Sequence, residues 1–244
     1  MSRSGAAAAL VVGSVHMACG VEYGLTLILF YLTGSRLTRI GSKAKAALEE
    51  RYEESSRRTA TQVLANSLAG SVLAVTAAAA AAGALPVQAP AAWRAALHGA
   101  FLGHYACCCA DTWSSELGML SAGLPRLITN PRRRVPRGTN GGVSLLGLKA
   151  GAAGGALMGA AFWLAGGDLG LALGTLGTLL DSLLGATLQY SGVHTASGRM
   201  ASAPGPGMAR VCGRLVLSND GVNALAAAST ALAGGAAGLL LQGM

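Results

Sequence analysis

From Ala95 to Leu120 the chain reads AALHGAFLGHYACCCADTWSSELGML. The stretch is long enough to cross a hydrocarbon core, which takes ~20 predominantly apolar residues. Its second half carries Asp111 and Glu116, and a carboxylate at the centre of a membrane helix costs at least ~2.5 kcal/mol on the insertion scale. Composition decides how to read it. The 244 residues are 52% hydrophobic and only 11% charged, with a mean hydropathy of +0.50, whereas a soluble domain carries about 25% charged residues. The same numbers exclude disorder, which needs low hydrophobicity and high charge. The 36 glycines follow no Gly-X-Y period, which excludes collagen, and five cysteines, three of them consecutive at 107–109, make no disulfide scaffold. The composition predicts a membrane-embedded protein.

Working outward, six stretches qualify as spans: about Gly5–Leu32, Ala60–Leu85, Ala95–Leu120, Gly141–Ala165, Gly167–Tyr190 and Ser218–Leu241. The first is too long for the apolar region of a signal peptide. Between spans the basic residues alternate. The first loop holds Arg36, Arg39, Lys43, Lys45, Arg51, Arg57 and Arg58. The third holds Arg126, Arg132, Arg133, Arg134 and Arg137, and the fifth Arg199, Arg210 and Arg214. These three loops carry 15 of the 18 basic residues. Under the positive-inside rule the odd loops face the cytoplasm or stroma and both termini lie outside. The expected fold is therefore an all-α polytopic integral membrane helical bundle of about six transmembrane helices. It forms a single domain over residues 1–244, with basic loops at about 33–59, 121–140 and 191–217. A net charge of +8 raises nucleic acid as a partner, but the aromatics that would interleave a binding groove are only 5% of residues, so no nucleic acid is expected.

The acids inside spans are the informative residues. Of ten, Glu49, Glu50, Glu53 and Glu54 fall in the first loop, where Leu48–Glu54 reads as a short solvated helix, and Asp168 falls at a span end. Glu22, Asp111, Glu116, Asp181 and Asp220, with Asn219, Asn223 and Asn66, all fall toward the leaflet that carries the basic loops. Glu22 reads more simply as paired with a neighbouring helix. Carboxylates from different helices suit Mg²⁺, which prefers hard oxygen ligands and bridges substrate phosphates. Asp111, Glu116 and Asp181 are thus the candidate catalytic and metal-binding residues, although the five-residue spacing of the first two turns them ~140° apart on one helix.

The third loop ends in a glycine-rich turn, Gly138-Thr139-Asn140-Gly141-Gly142, preceded by Arg137 and leading into a helix. Backbone N–H groups at such a helix start bind anions, and Arg126 and Arg137 supply charge, so these residues are candidates for holding nucleotide phosphates. Asn219 and Asp220 are candidates for the acceptor side. Arg132–Arg134 read equally well as attraction to anionic lipid. The cysteine triplet points three ways around a helix and reads as small apolar filling.

Five ordered motifs resemble one family: residues 110–118 (ADTWSSELG), 125–129 (PRLIT), 136–144 (PRGTNGGVS), 181–192 (DSLLGATLQYSG) and 219–223 (NDGVN). Upstream, 50–54 (ERYEE) with Arg57 and Arg58 looks like the polar loop of the same family. It is the transmembrane protein 19 family, related to the plastid phytyl-phosphate kinase. The plastid branch has a glutamate in the turn where this chain has Asn140. The resemblance implies an isoprenyl-phosphate kinase, acting on a membrane lipid or isoprenoid phosphate with CTP or another nucleoside triphosphate. The membrane would be that of the endoplasmic reticulum or the plastid envelope. The alternative is a non-enzymatic membrane lipid carrier or scaffold, which needs the same basic face but no metal.

Overall fold

A computed structural model describes residues 1–50, 52, 58–84, 91–167 and 174–242. Arg51, Glu53, Glu54, Arg57 and Asp168 lie outside the described residues. The longest helices are α1 (Arg3–Cys19), α2 (Val21–Arg39), α4 (Ala60–Ala81), α5 (Ala91–Gly118), α6 (Leu145–Leu164), α7 (Gly174–Leu188) and α8 (Asn219–Gln242), with a short α3 (Ser42–Ala46) after α2. Helix α5 is the central post and packs most extensively on α8 and α6.

Small residues let it do so. A Cβ at Gly99 would overlap the Gly234 carbonyl, one at Gly103 the Thr230 carbonyl, and one at Gly238 the Ala95 carbonyl. Farther along α5, Gly147, Gly151 and Gly154 of α6 sit against the backbone at Ser114, Ala110 and Cys109. Such close backbone approach is how helices associate where hydrophobic burial gives no drive. Cys107, Cys108 and Cys109 are all buried in this core as small fillers. All three phenylalanines of the chain, Phe30, Phe101 and Phe162, join Tyr23 and Tyr105 in one cluster, with Tyr23 edge-on to Phe101 at 4.7 Å. His16 bridges helices here. One ring nitrogen meets the Val12 carbonyl at 2.9 Å and the other the Tyr105 hydroxyl at 2.8 Å.

The expected architecture changes in three respects. First, the apolar stretch from Gly5 to Leu32 is two helices. The chain turns at Gly20, and Gly24 packs on Met17. Ser2 at the start of α1 donates to the Arg58 carbonyl at 3.1 Å, while Gly34 near the end of α2 touches the Arg58 guanidinium. Both ends of this hairpin therefore meet at the loop-rich end of the bundle. The N-terminus lies at that end, and the C-terminal part of α8, beside Ala95, lies at the other.

Second, the described helices do not form six clear spans. Three are long and apolar enough to cross a membrane: α4, α6 and residues Asn219–Leu240 of α8. Their 20 to 22 residues rise ~30 Å, the thickness of a hydrocarbon core. The hairpin helices are 17 and 19 residues long, α5 carries Arg94, His98, His104, Asp111 and Glu116, and the apolar part of α7 is the shorter Leu176–Leu188.

Third, the protein is mostly helical but not all-α. The loop after α5 forms an antiparallel sheet of β1 (Arg126–Leu127), β2 (Asn130–Arg134) and β3 (Gly142–Val143), in the order β2-β1-β3. The loop after α7 forms a second, of β4 (Ser191–His194), β5 (Met200–Ala201) and β6 (Met208–Cys212), in the order β5-β4-β6. Backbone groups outside a helix still need partners, and tight turns allow the pairing: Gly198 and Gly207 adopt positive φ of 70° and 71°. The first loop joins in. Glu49 makes a single parallel bridge to Met200 of β5, flanked by turn residues. Met200 N–H donates to the Leu48 carbonyl at 2.7 Å and Glu50 N–H to the Met200 carbonyl at 3.1 Å. Of the helix expected over Leu48–Glu54, Leu48–Glu50 are not helical, Tyr52 is, and Arg51, Glu53 and Glu54 lie outside the described residues.

The α5–α8 contact predicts a sharp contrast. Gly103→Val would force backbones apart and, like other overpacking changes, cost about 1–3 kcal/mol or more. Gly13→Ala, which meets open space, is expected to stabilise α1 slightly. Thermal unfolding of both variants in detergent would check this.

Candidate functional site

One cavity of about 520 Å³ opens at the loop end of the bundle. Helix α5 brings Asp111 to it, α7 brings Thr178 and Asp181, and α8 brings Asn219, Asp220 and Asn223. The Asp111 and Asp181 carboxyl groups lie within hydrogen-bonding reach of each other. The Asn223 amide donates to Asp181 Oδ2 at 3.2 Å and to the Asn219 carbonyl at 3.1 Å. Gln189 donates to Asn219 Oδ1 at 3.4 Å. The Thr178 hydroxyl, one helical turn before Asp181, is buried and has no partner among the described residues. Two adjacent carboxylates cannot both stay charged without a shared proton or a cation, so this pair is the chemical centre of the cavity.

Glu116 lies in the cavity wall but not with the pair. The turn between residues five apart swings it toward α2 and the first loop. There Oε1 accepts from Thr38 at 2.6 Å and Oε2 from Lys45 at 2.5 Å, and Lys45 also donates to the Leu37 carbonyl at 2.8 Å. Lys45 is fully buried, not part of a solvated loop. Among the described residues no three His, Cys, Asp or Glu side chains are gathered closely enough to hold one ion.

The glycine-rich turn also lines the cavity. Gly138 and Gly141 take positive φ of 83° and 74°, and a Cβ on Gly141 would strike Ala186 and the Ser182 carbonyl of α7. Glycine is thus required there twice over, for conformation and for close approach. Several donors of the turn are used inside the protein. Asn140 N–H donates to Ser191 Oγ at 3.0 Å, Asn140 Nδ2 to the Tyr190 carbonyl at 3.3 Å, and Gly142 N–H to the Thr139 carbonyl at 2.9 Å. The Thr139 hydroxyl donates to the Pro136 carbonyl at 2.7 Å. Ser144 caps α6 by accepting from Gly147 N–H at 3.1 Å. The turn therefore shapes the cavity more than it offers a free row of N–H groups. Beneath it, Cys212 donates to the Asn140 carbonyl. Burial pushes its thiol up, partly offset by Ser191 and by Arg133 and Arg210.

Arg126 and Arg137 do not line the cavity. Arg126 donates to the Pro131 carbonyl at 2.7 Å within its own sheet, and Arg137 to the Ala122 carbonyl at 2.7 Å. The cavity's described cation is instead Arg58, beside Gln62 and Asn66 of α4. Facing it across the lining are Glu49, Asp111, Glu116, Asp181 and Asp220. Arg58, Thr178 and Gln189 are the site residues sequence reasoning missed. Thr178 carries a legible signal, one turn from an intramembrane acid on the same helix. Arg58 reads from sequence as one of many loop charges.

Apolar helices of membrane-crossing length around a polar cavity at the loop end are the architecture of an integral membrane protein. Comparison places it further. The chain belongs to the family described as integral membrane protein DUF92, which matches residues 1–231. It is 36% identical to Protein PGR of Arabidopsis thaliana over 252 residues, covering 91% of this chain and 84% of that protein. It is 33% identical over 180 residues to an uncharacterized membrane protein of Methanocaldococcus jannaschii, covering 72% of this chain and 68% of the other. A third relative, an uncharacterized membrane protein of Synechocystis, is 33% identical over 181 residues, with coverages of 72% and 66%. No solved structure matches.

The Lys45–Glu116 pair predicts strong non-additivity. Lys45→Met alone strands a largely buried carboxylate and should cost about 3–5 kcal/mol, whereas Lys45→Met with Glu116→Leu should recover most of that loss. Unfolding temperatures of the two variants in detergent would decide it. Equal losses would mean that the ion pair does not anchor the first loop.

Proposed function

We propose that this protein is a nucleoside-triphosphate-dependent kinase of isoprenoid (phytyl or polyprenyl) monophosphates. The observation that carries the reading is the Asp111–Asp181 contact inside a polar cavity. Among the described residues five acidic side chains and one guanidinium line that cavity, so a polyphosphate reaches the carboxylate pair only with a cation. The donor set suits Mg²⁺, which binds through one or two carboxylates, keeps several waters and takes its remaining ligands from substrate phosphates. Asp111 and Asp181 would hold it, with the unpartnered Thr178 hydroxyl as a further oxygen. When bound, the ion neutralises charge on the transferring phosphoryl group. Glu116, tied to Lys45, would set the position of α5 and not coordinate directly.

The reaction asks little more of the protein. An oxygen of the lipid monophosphate attacks the γ-phosphorus, the bond to the β–γ bridging oxygen breaks, and the nucleoside diphosphate leaves. Phosphate monoesters lose their second proton near pH 6, so the nucleophile is already ionised at neutral pH and no general base is required. Catalysis is then positioning and electrostatics. Asn219 and Asp220, at the start of α8, would orient the acceptor, and the Gly138–Gly142 turn would bound the nucleotide phosphates from the other side. The resemblance to the transmembrane protein 19 family and its phytyl-phosphate kinase relative supports the lipid class. The apolar helices supply a membrane in which an isoprenoid tail can lie.

The test uses purified protein in nanodiscs with labelled CTP or ATP and a panel of isoprenoid monophosphates. Diphosphate product should appear only with Mg²⁺, and Asp111→Asn and Asp181→Asn should each lower turnover by on the order of 10²–10³-fold. Undiminished turnover in both variants would overturn the site. Lipid binding without product from any donor would favour the carrier.

A further inference from the structure

We propose that Arg58 is the receptor for the phosphate of a lipid phosphate monoester. The proposal deepens the kinase reading and rests on it for the lipid part of the ligand. The Arg58 guanidinium lies 5.7 Å from the Phe30 ring centroid and 5.8 Å from that of Tyr31. Its Nη2 abuts Gly34, where a Cβ would come within 2.9 Å. Two rings and a glycine notch thus hold the fork on the cavity wall.

The Arg58 guanidinium makes no hydrogen bond or ion pair with the described residues; the ion pair present is Lys45–Glu116. Glu116, whose field reaches Arg58, spends one oxygen on Lys45 and the other on Thr38. Cation–π contacts orient a guanidinium and contribute a modest attraction, but they do not neutralise it. The Arg58 N–H donors, unused among the described residues, are left for a ligand at the cavity wall. A planar fork fits a phosphate through two parallel charge-assisted hydrogen bonds.

Arg58 and the carboxylate pair then separate the two substrates by chemistry. The carboxylate pair repels a bare polyphosphate and accepts one only as its metal complex. Arg58 accepts a monoester dianion with no metal at all. It also stands on the wall made by α2 and the start of α4, against aromatic side chains. Those surroundings suit a phosphate with an apolar tail better than a nucleotide already tied to the carboxylate pair.

The experiment measures binding of farnesyl monophosphate, farnesol, inorganic phosphate and Mg²⁺·CTP to protein in neutral nanodiscs. The farnesyl and phosphate ligands are measured in EDTA. Arg58→Ala should weaken farnesyl monophosphate binding by roughly ten- to a hundred-fold, as expected for loss of charge-assisted hydrogen bonds. Arg58→Lys should fall between, and farnesol and Mg²⁺·CTP binding should not move. Unchanged farnesyl monophosphate affinity in Arg58→Ala overturns the proposal. If that variant does not fold, Arg58→Lys decides, because equal affinity with the fork removed overturns it as well. Inorganic phosphate binding as tightly as farnesyl monophosphate would overturn the lipid assignment. Arg58-dependent binding without turnover from any nucleotide would remove the kinase reading and leave this site standing.

Discussion

Backbone-to-backbone contact along α5 is the constraint on which the remaining features depend. With Gly99 and Gly103 against Gly234 and Thr230 along its first half, and Gly147, Gly151 and Gly154 against its second half, three helices sit closer than larger side chains would permit. That closeness has a consequence at the loop end. There Asp111 of α5 and Asn219 and Asn223 of α8 are joined by Asp181 of α7, so helices locked together near Gly103 enclose a polar space about two turns away. The apolar packing and the polar cavity are two levels of a single helix interface.

The cavity's charge pattern follows from how its acids are divided. Glu116 is neutralised within the fold by Lys45, so it serves as a structural tie between α5 and the first loop. Asp111 and Asp181 face one another, with an amide donor from Asn223 on one side. Proximity without neutralisation stores electrostatic free energy that a bound cation or proton releases. Carboxylates of one chemical type thus hold different roles according to which helix face they occupy.

Much of this was legible before the structure. The alternation of basic loops places Asp111, Glu116, Asp181 and Asp220 at the level where the cavity lies. It places Glu22 there too, but the turn at Gly20 carries Glu22 to the other end of the hairpin. The five-residue step from Asp111 to Glu116 already turns the two about 140° apart on α5; both line the cavity, but Glu116 is turned to Lys45 and Thr38. What remained hidden depended on long-range geometry. The turn at Gly20 was invisible because the apolar run continues on both sides of it. The two small sheets were hidden because short, basic, proline-punctuated segments such as Asn130–Arg134 carry little strand signal. Arg126 and Arg137 were chosen for nearness in sequence to the glycine turn, yet their side chains found carbonyls in their own loop. Arg58 was counted for topology, and only the fold shows it beside Phe30 and Tyr31.

The pairing of Leu48 and Glu50 with Met200 bears on how such a chain is made. Membrane proteins are inserted from the N-terminus onward, and α5 is complete long before α7 and α8 leave the ribosome. During that interval Asp111 has neither Asp181 nor Asn223 beside it, while Glu116 already has Lys45 upstream. The early half of the protein can therefore settle its own ion pair, but its cavity stays open toward the missing helices. Only when the last loop arrives can Met200 stitch itself to the first, closing a seam between segments made at opposite ends of synthesis. Assembly of the site is thus a late event in the life of the chain, and a truncated product would carry an exposed acidic notch at the membrane boundary.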